Sequence, residues 1–125
     1  MRLLVVDDNP DITESLSILL EILGHEVAVE NDPHAALARL GRESFDVCLL
    51  DIGMPRMDGL ELARRIRATV PAPQPVLIAI TGFGGHSDRQ AALDAGFDRF
   101  LVKPLRVDSL IAMLGELEPV LASSR

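Results

Sequence analysis

Along the chain, apolar runs of strand length alternate with segments of helical period. Leu3 to Val6 reads as a buried strand and is closed by Asp7 and Asp8. Ile12, Leu16, Leu19, Leu20 and Leu23 then recur at helical spacing up to Gly24, which suits a C-terminal cap. Glu26 to Glu30 alternates around Val27 and Val29 as a short strand. Asp32-Pro33 marks the next helix start, because Asp32 accepts N–H bonds and Pro33 sits where no donor is needed. Ala36, Leu37 and Leu40 form that helix's buried face. Val47 to Leu50 is a third strand running straight into Asp51. After the turn at Gly53-Met54-Pro55, Asp58 and Glu61 make a capping-box-like pair for a helix through about Ala68. Pro71, Pro73 and Pro75 exclude helix and make a tight surface connector. Val76 to Ile80 is the fourth strand, followed by the loop Thr81-Gly82-Phe83-Gly84-Gly85. Ser87 and Gln90 suggest a second capping box for a helix ending near Gly96. Phe100 to Val102 is the fifth strand and Val107 to about Leu121 the fifth helix, with Leu110, Ile111, Leu114, Leu117 and Leu121 toward the core.

Strands this continuously apolar, each followed by a helix, predict a parallel sheet covered on both faces. The fold class is therefore α/β: one doubly wound, five-stranded parallel sheet built from five β–α units, (βα)5. No repeat, charge block or low-complexity tract divides the chain, so residues 1–125 are expected to form a single domain.

Composition narrows the function classes. The longest apolar runs are far shorter than a bilayer span. Asp7-Asp8 interrupts the first apolar run too early for an export signal, which makes the cytoplasm the expected location. Cys48 is the single cysteine, so no internal disulfide forms; it sits in a central strand as a small inert residue. A net charge of −7 argues against nucleic-acid binding by general attraction, and the chain has no Trp or Tyr to stack on bases.

In doubly wound sheets, ligands bind beyond the carboxyl ends of the strands. Asp7-Asp8, Asp51, Thr81 and Lys103-Pro104 all stand at such ends. With the first and third strands adjacent, three carboxylates meet beside a hydroxyl and an ammonium, and such like charges are costly without a cation. Oxygen donors with no His or Cys nearby suit Mg²⁺ or Mn²⁺. A metal on Asp7 and Asp8 leaves Asp51 as a nucleophile toward phosphorus, with Lys103 stabilising charge on the phosphoryl oxygens. Thr81 would hydrogen-bond a phosphate on Asp51, and its glycine-rich loop makes the accompanying movement inexpensive.

Asp7-Asp8-Asn9, the segment Asp51-Ile52-Gly53-Met54-Pro55-Arg56-Met57-Asp58-Gly59, Thr81 and Lys103-Pro104 together resemble the response-regulator receiver family of two-component signalling. The resemblance spans Arg2 to about Leu121, in the family's order. It implies Asp51 as phosphoacceptor, Asp8 as the main carboxylate ligand of Mg²⁺ and Asp7 acting largely through a metal-bound water. It also implies the Gly53 backbone carbonyl as a further ligand and Lys103 as the phosphate's partner. Lys103-Pro104 is a candidate cis peptide, and Phe100 matches an aromatic switch that turns inward as Thr81 moves. The implied partner is a histidine kinase or histidine phosphotransfer protein. The implied state is a monomer or a weak dimer dependent on phosphorylation, without direct binding of nucleic acid or membrane. Such a domain is consumed by each transfer and is not an enzyme in the usual sense. Thr81-Gly82-Phe83-Gly84 and Ala95-Gly96-Phe97-Asp98 resemble receivers of hybrid sensor kinases. Gly53 and Phe83 depart from common choices at positions that influence phosphate lifetime in the family.

Taken singly, each signal has a plainer reading. Asp7, Asp8 and Asp32 suit helix caps, Asp51 a turn, Thr81 a strand end, Lys103 a solvated surface and Phe100 ordinary core. Asn9 and Asp58 are read as helix-start residues, and His25, His34 and His86 as surface residues. Ile18 and Ile22 lie outside the first helix's buried stripe, either as incidental exposure or as a docking patch for a phosphodonor helical bundle. Three other functions compete. A haloacid-dehalogenase-type phosphatase requires Asp two residues after its nucleophile, where Asn9 stands, and space for a cap domain. A pseudo-receiver would not need the intact Asp, Thr and Lys set. A flavodoxin-like nucleotide binder would place a phosphate loop where the Asp7-Asp8 pair lies.

Overall fold

The computed structural model describes residues 1–54, 57–82 and 86–124, without the side chains of 86, 87 and 119–124. Five strands alternate with five helices: β1 (Arg2–Val6), α1 (Pro10–Ile22), β2 (Glu26–Glu30), α2 (Pro33–Arg42), β3 (Val47–Asp51), α3 (Gly59–Thr69), β4 (Val76–Thr81), α4 (His86–Ala95), β5 (Arg99–Val102) and α5 (Val107–Ser124). The strands form one parallel sheet of order β2-β1-β3-β4-β5. Pro55, Arg56, Phe83, Gly84 and Gly85, and the side chains of His86, Ser87 and Leu121, lie outside the described residues.

Strand side chains alternate between two cores. Leu4, Val6, Cys48, Leu50, Leu77 and Ala79 join Ala36, Leu62 and Ile66 under α2 and α3. Leu3, Val5, Leu49 and Ile78 join Leu20, Leu110, Leu114 and Leu117 under α1 and α5. The central strands bury both faces, which explains their unbroken apolar runs. Cys48 is fully buried, and burial pushes its thiol pKa far up, so it behaves as core.

The capping residues do much of the local specification. Asn9 accepts from the Asp11 N–H, Asp32 from Ala35 and Asp58 from Glu61. Glu61 pairs with Arg64 and Arg65 rather than completing a capping box. α4 begins at His86, one residue before Ser87, and the Gln90 amide donates forward to Asp94.

Three packing expectations are corrected. In α1, Thr13 and Leu20 are fully buried, while the capping Leu23 is exposed where the helix ends. In α5, Ile111 is 44% exposed, because Leu110, Leu114 and Leu117 already fill the face toward the sheet. The His25 side chain is only 8% exposed, with Nδ1 3.2 Å from the Met1 amine and 3.9 Å from Glu118 Oε1. Its place next to β2 had suggested a surface residue, but α5 folds over it. His34 is exposed as expected.

Candidate functional site

The register of the sheet brings the strand-end residues together. Val6 lies opposite Leu50 in the β1–β3 pair, so Asp7 follows β1 at the level where β3 ends in Asp51. Asp51 is paired with Ile80 of β4, and Thr81 with Val102 of β5. Lys103 N–H donates to the Thr81 carbonyl at 2.7 Å, holding the lysine beside the same edge. The Lys103–Pro104 peptide is cis.

Each of Asp7, Asp8 and Asp51 offers one carboxylate oxygen, and these oxygens lie within 4.8 Å of one another. Asp7 and Asp51 are buried and Asp8 is exposed, so the cluster opens to solvent on one side. Asp51 Oδ1 accepts from Lys103 Nζ at 3.2 Å and from the Gly53 N–H at 3.2 Å. Asp7 Oδ1 accepts the Asn9 N–H at 3.0 Å. Burial above all raises the Asp7 carboxyl above the usual aspartate range; Asp51 and Asp8 add to the rise, while the Asn9 N–H and Lys103 oppose it. Among the described residues, the three carboxylates of this group meet one ammonium, that of Lys103 on Asp51, and the excess of negative charge is the setting for a hard divalent cation. The donor set fits Mg²⁺: oxygens only, one face open to water, and no His or Cys in the group.

Thr81 is buried at 5% exposure at the end of β4. Phe100 is half-buried in β5, against the α2–α3 core, and the Arg89 guanidinium lies 5.2 Å from its ring centre. Ile18 and Ile22 are 53% and 77% exposed on α1, on the outer side of the helix that follows Asp7-Asp8. A groove of about 390 Å³ between α1 and the β5–α5 turn is lined by Asp7, Ile12, Leu16, Lys103, Pro104 and Leu105.

Several residues that build this site carried little signal in the sequence. Gly59 opens α3 with its N–H donating to the Ile52 carbonyl. A Cβ there would stand 2.6 Å from the Asp51 carbonyl oxygen, so the position requires glycine. Thr13 is fully buried, and its hydroxyl accepts from Asn31, whose amide nitrogen also donates to the Asp7 carbonyl. A hydroxyl within the apolar stripe of α1 was a usable hint, since a buried hydroxyl calls for a partner. Nothing in the sequence marked Asn31 as that partner.

A doubly wound sheet in this strand order, with an acidic cluster and a lysine at its carboxyl edge, defines the receiver class of two-component signalling proteins. The chain belongs to the response regulator receiver domain family, whose model matches residues 3–115. Among curated proteins, "Response regulator MprA" of Mycobacterium leprae is 40% identical over 117 residues, covering 94% of this chain and 50% of its own length. The chain thus spans about half the length of the MprA relatives it matches. An uncharacterized 14.6 kDa protein of Leptolyngbya boryana is 40% identical over 114 residues, covering 91% of this chain and 87% of that protein. Among solved structures, a CheY-like receiver domain protein from Methanospirillum hungatei superposes with a TM-score of 0.87 at 29% identity, over 99% of this chain and 98% of that one. The receiver domain of the Pseudomonas aeruginosa sensor histidine kinase PA1611, solved with a magnesium ion in its active site cleft, gives 0.82 at 30% identity, over 93% of this chain and 95% of that one.

Proposed function

We propose that the domain accepts a phosphoryl group onto Asp51 from a phosphohistidine donor, with Mg²⁺ (or Mn²⁺) bound at the site, and reports the event by changing its partner-binding surface. The observation that carries this reading is the meeting of Asp7, Asp8 and Asp51 within 4.8 Å, with Lys103 Nζ 3.2 Å from Asp51.

Asp51 supplies the attacking carboxylate oxygen. A bond forms between that oxygen and phosphorus as the phosphorus–nitrogen bond to the donor imidazole breaks. Gly53 N–H and Lys103 Nζ fix the orientation of Asp51, both through Oδ1. Lys103 offers positive charge where the phosphoryl oxygens arrive. Asp8, Asp7, Asp51 and the Gly53 carbonyl would hold the metal. When bound, it offsets the charge of the cluster and of the transferring group. The Thr81 hydroxyl donates a hydrogen bond to the new phosphate, and its movement lets Phe100 turn inward, away from Arg89. No step regenerates a free catalyst within the transfer, so the domain is a substrate of its own chemistry and not a turnover enzyme.

The donor in this reading is a histidine kinase or histidine phosphotransfer protein. The groove beside Lys103 offers an apolar surface close to the acceptor, and the exposed Ile18 and Ile22 add apolar surface further along α1. We assign the domain to the cytoplasm, acting as a monomer or weak phosphorylation-dependent dimer. Among the described residues, no helix is long and apolar enough to cross a membrane.

Intact mass after incubation with acetyl phosphate and Mg²⁺ tests the assignment. Wild type is expected to gain one phosphoryl group, and Asp51→Asn none. Equal gain by Asp51→Asn would move the acceptor elsewhere. No gain by wild type would favour a pseudo-receiver, and steady hydrolysis of small phosphate esters would favour a phosphatase.

A further inference from the structure

The turn that carries Asp7 and Asp8 is tied to the connection between β2 and α2. Asp7 is held at three atoms. Its N–H donates to the Glu30 carbonyl at 3.3 Å, its carboxylate accepts the Asn9 N–H, and its carbonyl accepts Asn31 Nδ2 at 2.9 Å. Asn31 lies in the connection between β2 and α2, 24 residues away in sequence. The same amide nitrogen donates to Thr13 Oγ1 at 2.9 Å, and the Thr13 hydroxyl donates to the Pro10 carbonyl at 3.1 Å. One exposed side chain thus bridges the end of β1 to the first turn of α1.

We propose that Asn31 is a positioning residue for the cation site, acting through the Asp7–Asp8 peptide. This rests on the reading of that cluster as a Mg²⁺ site. The peptide is planar, so fixing the Asp7 carbonyl also fixes the direction of the Asp8 N–H and the point from which the Asp8 side chain leaves. Three carboxylates within 4.8 Å repel one another, and that repulsion favours opening of the β1–α1 turn, which carries two of them. Asn31 resists that opening from outside the turn. It keeps the Asp7 and Asp8 oxygens near Asp51 before a cation arrives, so less ordering is left to be done on binding. Thr13 has the lesser part of fixing which way the Asn31 amide points.

The test compares Asn31→Ala and Thr13→Val with wild type in the same 125-residue chain. Mg²⁺ alone is titrated into unphosphorylated protein, and its Kd is read from backbone amide shifts. Phosphorylation by acetyl phosphate is then followed at saturating Mg²⁺, and thermal melting is recorded without Mg²⁺. Loss of a residue that orients metal ligands weakens metal affinity about tenfold or more. Asn31→Ala is expected to raise the Mg²⁺ Kd by about that factor. The rate at saturating Mg²⁺ should stay within about twofold of wild type, because the bound geometry is recovered once the ion is in place. Thr13→Val keeps the Asn31–Asp7 bond and should leave the Kd nearly unchanged. A merely structural role would lower the melting temperature of Asn31→Ala and leave the Kd where it was, which overturns the proposal. Asn31→Ser, whose hydroxyl is too short to reach the Asp7 carbonyl, serves if the alanine variant does not fold, and the same Kd shift is expected of it. If wild type itself takes up neither Mg²⁺ nor phosphate, the reading of the site fails. If wild type does both and the Asn31 variants match its Kd, only the role of Asn31 falls.

Discussion

Lys103 Nζ sits 3.2 Å from Asp51 Oδ1, where it would meet the phosphoryl group of the proposed transfer. Removing a donor aimed at charge that develops in a transition state costs about 10²–10³ in rate. Lys103→Met should therefore slow phosphorylation of Asp51 by about that factor, measured as the time course of mass gain at saturating Mg²⁺. His25 gives a second prediction at this scale. Burial chiefly lowers its pKa from 6.5, with the Met1 amine adding to the effect and Glu118 opposing it. A folded-state value below the unfolded one means the unfolded chain binds the extra proton first. The contribution of neutral His25 to stability is thus complete above pH 6.5 and is lost as pH falls through the lowered folded-state pKa. Urea unfolding at pH 7.5 and at lower pH should show a loss of stability that His25→Asn reduces. An equal loss in the variant would contradict this account of His25.

Gly59 illustrates how an element is placed by one contact. Its N–H caps against the Ile52 carbonyl, and its missing Cβ lets α3 start against the backbone that follows Asp51. Gly59→Ala would force that backbone apart, at a cost of about 1–3 kcal/mol. Denaturant unfolding should show the loss, and phosphorylation should weaken with it because Asp51 is displaced. The order of elements was legible before the structure because apolar runs and caps agreed: Asn9, Asp32 and Asp58 each accept the helix N–H expected of them. Packing direction was less legible. Leu23 and Ile111 satisfy helical periodicity, yet Leu20 and Leu110 already occupy the sheet-facing positions. The strand-end carboxylates could be found because the sheet rule says where to look. Asn31 could not, since a loop asparagine next to a helix cap looks like any other turn residue until the fold brings it to Asp7.

At the scale of the whole molecule, the acidic cluster couples cation binding to folding. The unfolded chain scatters Asp7, Asp8 and Asp51, so a Mg²⁺ ion bound as proposed would favour the folded state. At a hundred times its Kd it should add about 2.7 kcal/mol of stability, seen as a rise in Tm of several degrees. Asp8→Asn should remove most of that rise. Charge is also divided between the faces of the sheet. α1 carries Asp11, Glu14 and Glu21, and α5 carries Asp108, Glu116 and Glu118, with no Lys or Arg on either helix. Arg39, Arg42, Arg64, Arg65 and Arg67 lie on α2 and α3. The central claim, that phosphate is captured at Asp51, is tested most directly by trapping the acyl phosphate. Borohydride reduces an aspartyl phosphate to homoserine, and peptide mass mapping then locates it. After exposure to acetyl phosphate and Mg²⁺, homoserine is expected at position 51 and nowhere else. Homoserine at another carboxylate, or an unmodified Asp51 in protein that has gained phosphate, would contradict the account.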